Sequence, residues 1–155
     1  MKNQTCCFTG YKKIPPGQYK RITGRLREEI IDLIKGGIIF FGAGGALGFD
    51  TLAALTVLSL REQYPQVKLI LVLPCRNQDK CWSEGEKKIY NHILESADKV
   101  VYLSEHYHKG CMHVRNQHLV NNSSICICYL TGKSGGTAYT VNYATRKGLK
   151  IINLA

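Results

Sequence analysis

Short apolar runs alternate along this chain with longer segments of helical periodicity, and this alternation limits the fold more than any other feature. Lys68–Leu73 is a continuous apolar run of the kind that is buried on both faces of a parallel sheet. Consecutive parallel strands need a crossover helix, and such crossovers are right-handed. The sequence therefore predicts an α/β fold with a doubly wound, mainly parallel sheet of about six strands and helices on both faces.

The element boundaries follow from proline and glycine positions and from helix-capping patterns. Ser83 and Glu86 have the spacing of a capping box at the start of the third helix, and Gly148 is a suitable C-cap for the fifth. The expected buried stripe of the third helix consists of Ile89, Ile93, Leu94 and Ala97. We expect strands at residues 5–8, 38–41, 68–73, 100–103, 124–129 and 150–154, and helices at 19–35, 50–64, 84–97, 112–121 and 138–147.

Length and composition favour one domain, residues 1–155, in the cytoplasm. The chain has 155 residues, of which 45% are hydrophobic and 21% charged, as in ordinary globular proteins. No apolar run reaches the roughly 18 residues that a membrane span needs, and residues 1–4 lead directly into a strand-like run. Four of the seven cysteines lie inside apolar runs, which favours buried free thiols over disulfides: Cys6, Cys7, Cys126 and Cys128.

The positive charge is concentrated at the start of the chain. The formal net charge is +10, and residues 1–27 contain seven basic residues and no acidic one. This distribution fits phosphate-bearing ligands and nucleic acid equally well. The seven basic residues are Lys2, Lys12, Lys13, Lys20, Arg21, Arg25 and Arg27.

Two glycine-rich turns each join a strand to a helix. Gly44, Gly45 and Gly48 precede the second helix, with Asp50 at its start. Glycine allows positive φ and close backbone approach, and a helix N-terminus favours an anion, so we expect a phosphate there. A tight turn without a ligand is the alternative. The second turn offers a similar phosphate cradle: Gly135, Gly136 and Thr137.

Residues at two other strand ends complete the candidate ligand site. The segment Thr9, Gly10, Tyr11 and Lys12 follows the first strand, and Arg115 and Asn116 lie near the start of the fourth helix. Ligands of open parallel sheets bind beyond the carboxyl ends of the strands, so these loops share one edge. A solvated basic loop and a surface arginine are the respective alternatives.

Two other kinds of site are weighed against this one. Gly132-Lys133-Ser134 resembles the end of an ATP-binding P-loop, but Ile127 stands where that motif needs glycine. His106, His108, Cys111 and His113 do not have the spacing of a structural zinc site, although Cys111 could act as a nucleophile. We expect no metal and no cofactor.

Four motifs together resemble the YpsA-like branch of the SLOG superfamily, which is related to the Lonely Guy phosphoribohydrolases and to DprA (Smf). They are the segments 7–11, 44–50, 112–116 and 135–140, and their order covers essentially the whole chain. The resemblance implies a Rossmann-like domain that binds a nucleotide or a nucleotide sugar such as an ADP-ribose derivative. Met112 and Arg115 are similar to the M-x-x-R piece of the phosphoribohydrolase motif, and the resemblance implies that Arg115 holds a phosphoribosyl group.

The catalytic part of that phosphoribohydrolase motif is altered. Ser134 stands where its proline would be, and Asn142 stands where its catalytic glutamate would be. An amide cannot act as a carboxylate base, so binding without turnover is the first hypothesis. Asp50 is the best placed of three conceivable substitute acids, the others being Glu84 and Glu86. Asp50 could instead cap the helix or, like Asn116, hold ribose hydroxyls.

Three functions follow as hypotheses. The first is a sensor or sponge for a signalling nucleotide, with a nucleotide-like small molecule as the partner. The second is N-glycosidic hydrolysis of nucleoside monophosphates, and the third is DprA-like binding of single-stranded DNA. The apolar second helix would also allow a homo-oligomer.

Overall fold

Six parallel strands form one sheet in the computed structural model, which describes all 155 residues. The strand order is β4-β3-β2-β1-β5-β6. β1 therefore lies inside the sheet, with β2, β3 and β4 on one side of it and β5 and β6 on the other. The strands are β1 (Thr5–Gly10), β2 (Phe40–Ala43), β3 (Lys68–Leu73), β4 (Lys99–Tyr102), β5 (Ile125–Tyr129) and β6 (Lys150–Asn153). The predicted α/β fold with six mainly parallel strands is confirmed.

Five α-helices connect these strands and cover the sheet. Helices α1, α2 and α3 pack beside one another, and α4 packs against α5. Two short 3₁₀ segments that the sequence did not suggest precede β1 and α1. The helices are α1 (Tyr19–Lys35), α2 (Phe49–Arg61), α3 (Glu84–Ser96), α4 (Cys111–Asn121) and α5 (Gly136–Arg146).

Alternate residues along the strands enter two separate cores. Cys6 and Phe8 belong to the core beneath α1, α2 and α3, whereas Cys7 belongs to the core beneath α4 and α5. The same alternation places Ile127 in the first core and Cys126 in the second. This period of two is what a strand buried on both faces requires. All seven cysteines are free, and the four predicted to be buried are buried.

Local hydrogen bonds and one terminal glycine explain three of the observed boundaries. Ser83 and Glu86 form the predicted capping box, with N–H···O distances of 2.9 and 3.2 Å. Gly148 has φ +84° just beyond α5, as a C-terminal glycine should. Strand β2 begins at Phe40, two residues later than predicted, because the N–H of Ile38 bonds the Leu33 carbonyl of the α1 terminus at 3.0 Å.

The predicted buried stripe of α3 is wrong at Ile89, which is 45% exposed. Tyr90 is buried in its place. Its ring packs edge-on against Trp82 at 5.0 Å, and its hydroxyl accepts a hydrogen bond from Gln78 at 3.1 Å. Ile93 is buried as predicted, while Leu94 and Ala97 are half-buried.

No helix combines the length and the apolar character that crossing a lipid bilayer demands.

Candidate functional site

A cavity of about 400 Å³ lies where β1, α4 and the turn before α5 meet. We call it the polar cavity, because only three of its lining residues are apolar. Ten of the residues predicted to bind a ligand line it together: Thr9, Gly10, Tyr11, Lys12, Asp50, Arg115, Asn116, Gly135, Gly136 and Thr137. Three further lining residues lie outside that predicted set: Ala46, Met112 and His113.

The end of β1 forms one wall of the polar cavity. Thr9 is buried, and Gly10 still pairs with Tyr129 of β5. A Cβ at Gly10 would meet the Phe49 side chain at 2.4 Å. Glycine is therefore required here so that the N-terminus of α2 can approach the end of β1.

The phenol of Tyr11 joins the loops that follow β1 and β5. Its oxygen accepts the N–H groups of Thr131 and Gly132 at 2.9 and 3.1 Å. Hydrogen bonds from the Thr131 side chain and from these backbone groups lower the pKa of the Tyr11 phenol. The loop that precedes α5 is thereby fixed relative to β1.

Three predicted glycines, Gly44, Gly45 and Gly48, are not among the residues that line the polar cavity. A Cβ at Gly44 would meet the Arg115 guanidinium at 2.5 Å. Gly45 and Gly48 have φ of +71° and +77°, and a Cβ at Gly48 would lie 2.3 Å from the Lys12 carbonyl oxygen. Close packing explains these three glycines without a ligand.

Arg115 is buried, so its interpretation as a surface arginine is wrong. Only 5% of the residue is exposed, although it lines the polar cavity. Its Nη1 donates to the Gly44 carbonyl, and its Nε donates to Asn116 Oδ1 at 2.7 Å. Its Nη2 has only the thioether sulfur of Met112, a weak acceptor, at 3.7 Å. Part of the donor fork is thus available to a ligand.

Asp50 is the one carboxylate in the lining of the polar cavity. Its Oδ2 accepts the Ala46 N–H at 3.3 Å, and α2 has no side-chain cap, so Asp50 holds the preceding loop and does not cap the helix. Burial raises the pKa of Asp50, although Arg115 and two backbone N–H groups act in the opposite direction. Burial also lowers the pKa of Arg115.

The charges of Asp50 and Arg115 do not cancel in a contact ion pair. They influence each other's pKa, but the salt bridges of the structure involve other residues. The guanidinium therefore has no carboxylate in direct contact, although Asp50 lines the same cavity.

The N-terminus of α5 is open toward the same cavity. Gly135 has φ +96°, no side chain caps the helix, and its first turn contains no acidic residue. The first N–H groups of a helix lack intrahelical partners, and here they belong to Gly136, Thr137 and Ala138. Such a helix end favours an anion.

The histidines and cysteines between residues 106 and 113 do not come together. No group of three or more His, Cys, Asp or Glu side chains is arranged to hold a metal ion. His113 lines the polar cavity and packs edge-on against Tyr139 at 4.5 Å. Cys111, the candidate nucleophile, is 2% exposed and in contact with the Cys75 thiol, a setting that suits packing better than reaction.

Family comparison agrees with the motifs in this site. The model of the YspA SLOG family matches residues 6–151. The chain belongs to this family. A UPF0398 protein of Halalkalibacterium halodurans is 29% identical over 150 residues, which cover 90% of this chain and 79% of that protein. The SPbeta prophage-derived protein YoqJ of Bacillus subtilis is 30% identical over 118 residues, or 68% of this chain and 69% of that one.

Solved structures of DNA processing protein A share the Rossmann-like fold. The protein from Helicobacter pylori superposes on 98% of this chain with a TM-score of 0.70 and 19% sequence identity. The protein from Streptococcus pneumoniae also covers 98% of it, with a TM-score of 0.69 and 17% identity. The chain spans 65% of the length of the first and 50% of the second.

Proposed function

We propose that this SLOG domain binds a nucleotide or nucleotide-sugar ligand, of the ADP-ribose or signalling-nucleotide type, in the polar cavity as a sensor or a sponge. The observation that carries the proposal is the buried guanidinium of Arg115, whose Nη2 has no stronger partner than a thioether sulfur. The open N-terminus of α5 lines the same cavity. Both groups favour an anionic ligand.

A bound phosphate would offset the cost of burying the Arg115 charge. A buried charge without an oppositely charged group in contact is unfavourable, and for this reason burial lowers the pKa of Arg115. A phosphate between the guanidinium and the first turn of α5 would supply charge-assisted hydrogen bonds from both. Asp50 and Asn116 line the same cavity and are suited to hold ribose hydroxyls.

Binding without turnover fits the distribution of acids. Asn142, at the position of the catalytic glutamate in the phosphoribohydrolase motif, is exposed and does not line the polar cavity. Asp50 is the one acidic lining residue, and one of its oxygens is already engaged by Ala46.

Calorimetric titration of Arg115→Ala tests the proposal. The parent is titrated with AMP, ADP, ADP-ribose and adenosine, and we expect binding only of the probes that carry phosphate. Hydrogen bonds to a charged group contribute about 1.5 to 3 kcal/mol, so Arg115→Ala should weaken binding by about 10- to 150-fold.

The matched control is Arg146→Ala, at the opposite end of α5 and outside the polar cavity. It should bind like the parent, and circular dichroism should show both variants folded. Equal affinity of Arg115→Ala and the parent for a phosphate-bearing probe would remove Arg115 from the site.

A second candidate is hydrolysis of an N-glycosidic bond, favoured by the presence of Asp50 in the polar cavity. Burial raises the pKa of Asp50, and a carboxyl with a raised pKa can act as a general acid. Chromatography of nucleoside monophosphates incubated with the parent would detect released base, and Asp50→Asn should abolish that release. Absence of released base from the parent would contradict this candidate.

A third candidate is single-stranded DNA binding, the subject of the Helicobacter pylori structure. The exposed basic residues Lys12, Lys13, Lys20 and Arg27 favour it for this chain. Binding through phosphates should weaken steeply as salt increases. A gel shift that shows no complex with single-stranded DNA at low salt would exclude this candidate.

A further inference from the structure

We infer that the ligand has a second, aromatic part that lies outside the polar cavity, in an apolar groove bounded by the start of α1, by α2 and by α3. This inference rests on the proposed function and narrows the ligand class to compounds in which a nucleobase is joined through phosphate to a further sugar or nucleoside. The groove has a volume of about 500 Å³. Its apolar lining residues are Ile14, Tyr19, Leu47, Leu52, Leu55 and Ile89.

The groove and the polar cavity have complementary chemistry. The cavity contains the buried arginine and the open helix end, which suit phosphate and sugar. The groove exposes large apolar side chains to water: Tyr19 is 53% exposed and Ile89 is 45% exposed. Exposed apolar side chains that lie together, unlike those scattered singly over a surface, are typical of a binding site. A nucleotide has the same division between an anionic part and a flat apolar base.

Lys12 lines both the polar cavity and the groove, so the two adjoin at this residue. At this junction the N–H of Phe49 donates to the Tyr11 carbonyl at 3.0 Å, and Gly48 packs against the Lys12 backbone. Lys12 and Lys13 are exposed, and neither belongs to a salt bridge. A phosphate linkage that passes from the cavity into the groove would therefore pass beside free cationic side chains.

Tyr19 is the aromatic side chain in the groove on which a base can stack. Its ring is not paired with another aromatic ring or with a cation, in contrast to the rings of Tyr11, Tyr90, Tyr139 and Tyr143. His113 in the polar cavity is the competing platform, but it already packs against Tyr139. Stacking of a base on an aromatic side chain changes affinity by about 5- to 150-fold.

Two probes separate the groove from the cavity: ADP-ribose, which has a base, and ribose 5-phosphate, which has none. We expect Tyr19→Ala to weaken ADP-ribose binding by about 5- to 150-fold and to leave ribose 5-phosphate binding unchanged. Tyr19→Phe keeps the ring and should bind ADP-ribose like the parent. Ile89→Ser should weaken ADP-ribose binding in the same selective way.

Two control variants accompany the groove variants. Tyr107 is 62% exposed and lines neither space, so Tyr107→Ala should have no effect on either probe. Arg115→Ala should weaken both probes, because it acts on the phosphate. Light scattering after gel filtration records the oligomeric state of every variant.

Several results would overturn the inference while leaving the proposed function intact. They are unchanged ADP-ribose affinity in Tyr19→Ala, an equal loss for both probes, or a larger selective loss in His113→Ala than in Tyr19→Ala. A change of oligomeric state in Tyr19→Ala with unchanged affinity would assign the groove to contacts between copies of the chain. A parent that binds AMP or ADP but neither ADP-ribose nor ribose 5-phosphate would overturn this inference alone. A parent that binds none of these four phosphate-bearing probes would overturn both proposals.

Discussion

Replacement of Gly136 by alanine tests whether glycine at this position serves the fold or the binding of a ligand. Gly136 is the first residue of α5 and lines the polar cavity, its φ is not positive, and an added Cβ would meet no atom within 4 Å. Alanine at such a position stabilises a protein by about 0.4 to 1 kcal/mol because the unfolded chain loses conformational freedom. For a chain of this length, Tm should rise by about 1 to 4 °C.

The same methyl group should obstruct a phosphate at the N-terminus of α5. Loss of a hydrogen bond to a charged group costs about 1.5 to 3 kcal/mol, so ligand affinity should fall by about 10- to 150-fold. Differential scanning fluorimetry measures Tm, and calorimetry with ADP-ribose measures affinity. The variant should thus be more stable and bind less tightly.

Gly24→Ala is the matched control for this prediction. Gly24 lies within α1, has no positive φ, and also has no atom within 4 Å of an added Cβ. It should raise Tm and leave ADP-ribose affinity unchanged. If Gly136→Ala also left ADP-ribose affinity unchanged, close approach of a ligand to the α5 backbone would be refuted. A fall in the Tm of Gly136→Ala would refute the expectation that a Cβ at this position meets no other atom.

Two further predictions concern stability. Gly48→Ala combines a φ of +77° with a Cβ 2.3 Å from the Lys12 carbonyl oxygen, so urea unfolding should show that the free energy of unfolding falls by roughly 3 kcal/mol or more. A fall of less than about 1 kcal/mol would contradict the close packing at Gly48. Burial raises the pKa of Tyr90 to about 12, above the unfolded value near 10, so its contribution to stability is present below pH 10 and is lost as pH rises toward 12. Urea midpoints of Tyr90→Phe should therefore fall less than those of the parent between pH 10 and 12, whereas Tyr107→Phe should follow the parent.

The fold was predictable because local signals agreed along the chain. The apolar run Lys68–Leu73 predicted a strand covered on both faces, and the Ser83 capping box predicted the start of α3, as observed. The strand order was not predictable from local pattern, since it depends on contacts between residues far apart in sequence. Tyr90 illustrates the same limit, because its burial depends on where Trp82 lies.

The candidate site was predictable to the extent that strand ends share one edge of the sheet. This rule predicted that Thr9, Arg115 and Gly136, which come from three separate segments, lie close together, and all three line the polar cavity. It could not distinguish a glycine beside a ligand from one beneath a buried side chain, which is the position of Gly44 under Arg115. Nor could it show that Arg115 is buried, because the residues that cover it come from other parts of the chain.

The central position of β1 also governs the order in which this protein can assemble during synthesis. β1 is made first, but it pairs on one side with β5, and Tyr11 bonds a loop 120 residues further along the chain. Pairing between such distant segments forms late and slowly. Until α4 and α5 are made, the sheet face that contains Cys7 and Val72 has no cover. The nascent chain therefore carries an exposed apolar face until α4 and α5 have been made, and its polar cavity is complete only once the turn before α5 has been added.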